Sequence, residues 1–234
     1  SSIISKGHFA FMYGKIEARV KLCNLNGAFG AFSTGLGATD LALVYAKGET
    51  WLNVPESLKI NVNGKLPEHT FSKDVILNII KTLGSYGGTY KSLEFHGDTI
   101  DAMSPDARMT ITNMVIECGA KNGIMIPNKQ TREYLAQRNI TDYEITTPDK
   151  DAEYEKTYDF NVDDLQPQVA CPHNVDNVCD VDKIQGTTIN QAVLGSCTNG
   201  RYEDLAQAAE ILKGQKVHED LQLLVFPASR KIYQ

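Results

Sequence analysis

The chain has no apolar run long enough to span a bilayer, so no segment reads as a transmembrane helix. It has no charged stretch leading into an apolar core, which removes a recognisable signal peptide. It opens on Ser1-Ser2-Ile3-Ile4 without a methionine, as at the edge of a larger sequence. Positive charge is short: 23 Lys and Arg stand against 29 Asp and Glu, a net charge of −6, so nucleic acid is not an expected partner. The 5 cysteines, Cys23, Cys118, Cys171, Cys179 and Cys197, are odd in number and irregular in spacing. That pattern argues against a disulfide framework and for a reducing, cytoplasmic setting. Without a secretion signal, the triplet Asn139-Ile140-Thr141 carries no weight as a glycosylation site. Internal repeats and low-complexity stretches are also missing. What remains is 234 residues at 42% hydrophobic, enough for one large globular unit or two small ones.

Two textures follow one another. Ile16, Ala18, Val20 and Leu22 alternate with Glu17, Arg19 and Lys21, which predicts a strand with one wet face. Phe9, Phe11 and Tyr13, with Gly14 near the bend, predict an antiparallel partner. From Gly27 onward strands and helices alternate. Helices are expected over Asp40–Lys47, closed by Gly48; from a Ser72 cap to Leu83, stopped by Gly84; and from Ser104-Pro105 to about Cys118, stopped by Gly119. Strands are expected at Leu58–Val62, followed by a tight Asn63-Gly64 turn, and at Ile124–Ile126. The polar run 142–158, with Pro148 inside it, reads as a surface connection. Ala192–Gly195, Tyr202–Lys213 and Leu221–Phe226 form a strand-helix-strand unit, which favours parallel pairing. The organisation is therefore an atypical N-terminal β segment (1–26), an α/β region (27–141), a connection (142–165) and a second α/β region (166–234).

Cys197 lies just past an apolar strand and before a helix, within Val193-Leu-Gly-Ser-Cys-Thr-Asn-Gly200. In open α/β sheets ligands bind at that edge, and a helix N-terminus favours a thiolate. Ser196, Thr198 and Asn199 are short polar residues able to donate to a sulfur or an anion. Three readings stay open on these residues alone: a structural cysteine beside a turn, a nucleophilic thiol, and a metal or cluster ligand. None of His8, His69, His96, His173 and His218 adjoins Cys197 in sequence to serve as a base.

Asn113 and Glu117 are four apart on an expected helix and share a face. A solvent-facing polar stripe is the plain reading. Their neighbours Ile111, Met114, Val115 and Ile116 are apolar, so the helix is expected to be largely buried, and a buried carboxylate tends to be functional. Cys118 reads as a small core residue. Cys171 and Cys179, eight apart, are not a Cys-x-x-Cys clamp and read as free thiols; a zinc site with His173 would be short by one ligand.

Gly195-Ser-Cys-Thr-Asn-Gly200 resembles the first cysteine motif of the iron–sulfur domain of the aconitase superfamily. Asn113-Met-Val-Ile-Glu-Cys-Gly-Ala120 resembles its Asn-Met-x-x-Glu-x-Gly-Ala motif. Gly27–Gly37, Glu49–Glu56, Tyr90–Gly97 and Phe226–Ser229 resemble further stretches, in the same order, of large subunits of the 3-isopropylmalate dehydratase and homoaconitase type. The resemblance covers residues 27–234. It implies an α/β fold, as a fragment of the three-layer α/β/α iron–sulfur domain, and hydro-lyase activity on an isopropylmalate- or homocitrate-type hydroxy-diacid, in leucine or lysine biosynthesis. It implies a [4Fe-4S] cluster acting as a Lewis acid, and a separate small subunit as partner. Carried over residue by residue, it makes Cys197 a cluster ligand, with Ser196, Thr198 and Asn199 beside the cluster. Glu117 then faces the substrate hydroxyl, and Asn113 supports the site.

Two departures accompany the resemblance. The family's remaining cluster cysteines, a Cys-x-x-Cys pair after Pro-Ala-Ser, are expected beyond residue 234, and Val20, Lys21 and Leu22 occupy the places of its Asp-Ser-His. Residues 13–22 instead resemble a strand pair of laminarinase-type β-glucanases, but the acidic catalytic motif of those enzymes is absent. The alternatives are a non-catalytic fragment that keeps the fold and binds a small-subunit partner, or, further off, a glycoside hydrolase.

Overall fold

The computed structural model describes residues 25–234; the strand pair expected before Leu22 lies outside them. After a 3-10 turn at Leu25–Phe29, helix α1 (Ala38–Lys47) ends where Gly48, at φ 75°, turns its N–H onto the Val44 carbonyl at 2.8 Å. Trp51 and Val54, just beyond α1, are 78% and 95% exposed.

Leu58, Ile60 and Val62 alternate with Lys59 and Asn61, and this period-2 pattern makes β1 (Ser57–Asn63) a strand that turns its aliphatic side chains inward. Apolar residues at helical spacing, Val75, Ile76, Ile79 and Ile80, place α2 (Ser72–Leu83) across that inner face. The chain returns as β2 (Ser92–His96), passes through short α3 (Asp98–Ala102) and α4 (Pro105–Met114), and comes back as β3 (Asn122–Met125). Helix α5 (Lys129–Ala136) follows, then an irregular run, then β4 (Lys156–Asn161). The sheet order is β3-β2-β1-β4 with every pair parallel, so the first strand is interior. The α/β class expected from the sequence is therefore observed.

Ile60, Val62, Ile76, Ile79, Ile80, Leu93, Ile111 and Val115 are fully buried between sheet and helices. Each contributes about 1.5–3 kcal/mol by leaving water. An antiparallel hairpin, β5 (Gln168–Ala170) and β6 (Val178–Asp180), closes over α2, and its Val178 joins the same core. A separate two-stranded parallel sheet pairs β7 (Gln191–Gly195) with β8 (Gln222–Phe226). Between them run one-turn α6 (Ser196–Asn199) and α7 (Tyr202–Leu212), and α8 (Arg230–Tyr233) follows. The parallel pairing matches the strand-helix-strand expectation.

Several details differ from the sequence reading. Ser72 is the first helical residue of α2 rather than its cap. The capping oxygen comes from Asp74, whose Oδ2 accepts the Phe71 N–H at 2.7 Å. Asn63-Gly64 closes no hairpin, because β1 pairs only in parallel; it leads the chain off the sheet toward α2. The stretch read as a connection contains β4, whose Tyr158 and Phe160 pack on the core. Helix α4 ends at Met114, and a 3-10 turn carries the chain to Cys118 before Gly119 at φ 84°.

Candidate active site

The local geometry at Cys197 is set by glycine. Gly195 leaves β7 at φ 105°, where a side chain is strained, and a Cβ there would stand 2.3 Å from the Phe226 carbonyl oxygen. Gly200 closes α6 with equally little room: a Cβ would stand 2.4 Å from the Ser196 oxygen. Its own carbonyl accepts the Ala228 N–H at 2.8 Å, so the Phe226–Ala228 segment lies against the cysteine turn. Ser196 itself sits at φ 73°. Gly195→Ala should therefore cost about 2 kcal/mol in urea unfolding, whereas Gly214→Ala, with φ 74° but open space around it, should cost about 1 kcal/mol.

Cys197 is exposed on this turn. Its N–H donates to Ser196 Oγ at 2.6 Å, and its Sγ lies 3.8 Å from both Ser196 Oγ and Thr198 Oγ1. Hydrogen bonds from Thr198 and then Ser196 hold its thiol below the ordinary cysteine range, and the charge of Arg201 works the same way. The sequence reading credited a helix N-terminus. The helix that follows is a single turn, and the hydroxyls dominate instead.

Across from the turn, α4 meets it through polar groups. Asn113 Nδ2 donates to Thr198 Oγ1 at 2.8 Å, joining two motifs separated by 85 residues. Thr110, one turn earlier on α4, accepts from Asn199 Nδ2 and Arg201 Nη1, each at 3.2 Å, and donates to the Thr198 carbonyl at 3.4 Å. Asp204 accepts from Asn199 Nδ2 at 2.9 Å and from the Arg201 N–H at 3.0 Å. Arg201 is 6% exposed, and its guanidinium donates to the Thr198 carbonyl as well. Thr110, Arg201 and Asp204 were not singled out from sequence. The available signal was an arginine directly after the glycine of the motif, and a threonine three residues before Asn113.

Glu117 stands apart from this network. It is exposed on the 3-10 turn beside Ile116, which is 47% exposed. The buried-carboxylate argument thus does not apply to Glu117: Ile111, Met114 and Val115 are buried, but the chain surfaces at the next two residues. Cys118 is fully buried, its Sγ 3.1 Å from the Val115 carbonyl, and burial pushes its thiol up to about 11, as suits a core residue. Cys171 and Cys179 face one another across the hairpin with sulfurs 3.6 Å apart. Among the described residues, no three His, Cys, Asp or Glu side chains group to hold a metal. A cavity of about 610 Å³ lies between α3, the start of α4 and α7, lined by Lys65, Asp98, Ser104, Glu203 and Asp204 among others, with neither Cys197 nor Asn113 in its wall.

A thiol at the carboxyl edge of a parallel strand pair, beside two hydroxyls of its own turn that the larger sheet unit braces through Asn113 and Thr110, sits where open α/β sheets bind ligands. Comparison with known proteins narrows the reading. Residues 23–187 and 181–234 match the model of the aconitase family (aconitate hydratase). A probable methanogen homoaconitase large subunit from Methanothermobacter thermautotrophicus is 54% identical over 207 residues, covering 88% of this chain and 48% of the relative. A probable 3-isopropylmalate dehydratase large subunit from the same organism is 50% identical over 209 residues (89% and 50%), and 3-isopropylmalate dehydratase large subunit 1 of Methanopyrus kandleri is 47% identical over 208 (89% and 50%). The chain belongs to the aconitase family. It spans about half the length of the curated relatives it matches.

Proposed function

We propose that this chain is part of the large subunit of a hydro-lyase that isomerises a malate-type hydroxy-acid with two or three carboxylates by dehydration and rehydration, with a small-subunit partner. Isopropylmalate and homocitrate are its two candidate substrate types. The observation that carries the reading is the bond from Asn113 to Thr198. Two stretches singled out separately in the sequence, on α4 and at the end of β7, meet in space, and relatives named for this chemistry share close to half or more of the chain's residues over that span.

In this reading Cys197 is a sulfur ligand of a [4Fe-4S] cluster. Its exposure and the hydroxyls that favour its thiolate suit that role. A cubane takes several cysteine ligands, and the described residues bring one cysteine to this turn. They do not hold the cluster unaided. The chain's own residues do three things. Ser196 and Thr198 hydrogen-bond the sulfur and favour its thiolate form. Asn113 and Thr110 hold Thr198 and Asn199 in place. Glu117, on an exposed turn, is open to substrate or to a partner surface, where it would handle the proton of the leaving or returning water.

The test is anaerobic co-production with the small subunit, followed by iron and sulfide reconstitution and an assay of dehydration of isopropylmalate to its alkene diacid and of homocitrate to its alkene triacid. Turnover of either acid, lost in Cys197→Ser, is expected. Equal turnover in that variant would sink the assignment of Cys197. A reconstituted but colourless and inactive protein would favour a fold-retaining remnant that only binds the partner.

A further inference from the structure

Cys171 and Cys179 form a thiol pair in a place the proposed chemistry does not use. Cys171 follows β5 and Cys179 lies within β6, so both ride on the hairpin that closes over α2. The Cys171 N–H donates to the Asn177 carbonyl at 2.8 Å, and Val169 pairs with Cys179, which puts the two cysteines diagonally across the ladder on one face. Their sulfurs are 3.6 Å apart, in van der Waals contact. The turn between them is held on its own account: Asn177 Nδ2 donates to the Pro172 carbonyl at 2.7 Å, and its N–H to the Asn174 carbonyl at 3.2 Å. The hairpin is also anchored to α2, since the Gln168 N–H donates to Asp74 Oδ1 at 2.7 Å and the Ser85 N–H to Asp176 Oδ2 at 2.8 Å. Both thiols are partly exposed, so small reagents reach them, whereas Cys118 is sealed in the core.

We propose that Cys171 and Cys179 are a reversible dithiol–disulfide site, closed by exchange with a small-molecule disulfide such as oxidised glutathione. One cysteine thiolate attacks a glutathione sulfur; the glutathione disulfide bond breaks, a mixed disulfide forms, and one glutathione thiolate leaves. The second cysteine thiolate then attacks the cysteine sulfur of that mixed disulfide and expels the second glutathione thiolate. The two protons shed by the cysteines end on the two glutathiones. The cysteine pair is oxidised and one glutathione disulfide is reduced. Sulfurs already in contact need only a small approach to reach bonding distance, about 2.0 Å. Preorganisation on the hairpin therefore favours ring closure over accumulation of the mixed disulfide.

Trypsin releases both cysteines in one peptide, residues 157–183, because no Lys or Arg lies between Lys156 and Lys183. The full chain is equilibrated in glutathione buffers of graded ratio, quenched with acid, alkylated and mapped by mass. The expected result is a peptide lighter by two hydrogens and closed to alkylation. It should half-form at an oxidised-glutathione level about tenfold below that which puts an adduct on the exposed single thiol Cys197. In Cys179→Ser, Cys171 should carry a glutathione adduct instead. Alkylation of both cysteines in buffers that already modify Cys197 would overturn the proposal, as would two separate adducts on the peptide. An advantage over Cys197 that persists undiminished in urea would overturn it too, because closure would then owe nothing to the folded hairpin.

Discussion

Replacing Arg108 with methionine should lower the unfolding free energy by about 4 kcal/mol, a larger loss than for any other polar side chain of the sheet unit. Arg108 is fully buried on α4, and its guanidinium donates to the carbonyls of Ala28, Ile100 and Ile126. Those carbonyls belong to the 3-10 turn before α1, to α3, and to the chain just past β3, so one side chain ties three segments together. Burial draws its pKa down to about 10, against the attraction of Asp101, yet at neutral pH it stays charged. Methionine fills similar space but donates nothing. The Ile100 carbonyl keeps its bond from the Met103 N–H, while those of Ala28, in the interior, and Ile126, partly buried, lose the guanidinium donor. Lysine at this position keeps the charge as a single ammonium, cannot span the same three acceptors, and should recover less than half of the loss. Far-UV circular dichroism in urea reads both variants; the one tryptophan, Trp51, is 78% exposed and a poor reporter.

Asp74→Ala should cost about 3 kcal/mol. Its two carboxylate oxygens serve two backbone donors, Phe71 N–H at the start of α2 and Gln168 N–H at the start of β5, each at 2.7 Å. Alanine leaves both N–H groups near or in the interior without an acceptor. A pH effect accompanies the loss. Burial holds the Asp74 carboxyl above its usual range and outweighs the bonds from Gln168 and Phe71. A raised acid binds its proton more tightly in the folded state, so its contribution is full below the unfolded value near about pH 4 and declines as pH rises through the folded value. Asp74→Asn removes that titration and keeps one acceptor. The stability gap between the native chain and Asp74→Asn should therefore narrow from about pH 4 upward, and a gap that widens would contradict the burial argument.

Much of the fold was legible because local chemistry and tertiary context agree. The alternation in β1, the Ser104-Pro105 start of α4, whose Oγ accepts the Ala107 N–H at 3.1 Å, and the glycines after α1, α2 and the Val115–Cys118 turn all did what their residue types favour. The misreadings came where a longer-range partner decided. Asp74 rather than Ser72 caps α2, because the same carboxylate also reaches Gln168, 94 residues away. The polar look of 142–158 hid β4, an edge strand whose side chains Thr157, Tyr158 and Asp159 are only partly covered or exposed. At the site, Cys197 and Asn113 were visible as motifs, but that they touch through Thr198 was not, since no local pattern encodes a contact between two sheets. Thr110 and Arg201 escaped for the same reason.

The joint between the two sheets has a thermodynamic character of its own. It includes Asn113, Thr110, Thr198, Asn199 and Arg201 and the bond from Ser104 Oγ to Glu203, and α7 beyond it has no fully buried residue. Parting the two units would break hydrogen bonds that water can replace and would leave the aliphatic interior of the larger sheet closed. The unit bearing the cysteine should therefore open at a fraction of the global unfolding free energy. Registry between the cysteine turn and α4 is lost in such an opening while most of the protein remains native. What keeps the sulfur in position is a handful of hydroxyls and amides, not the bulk of the core.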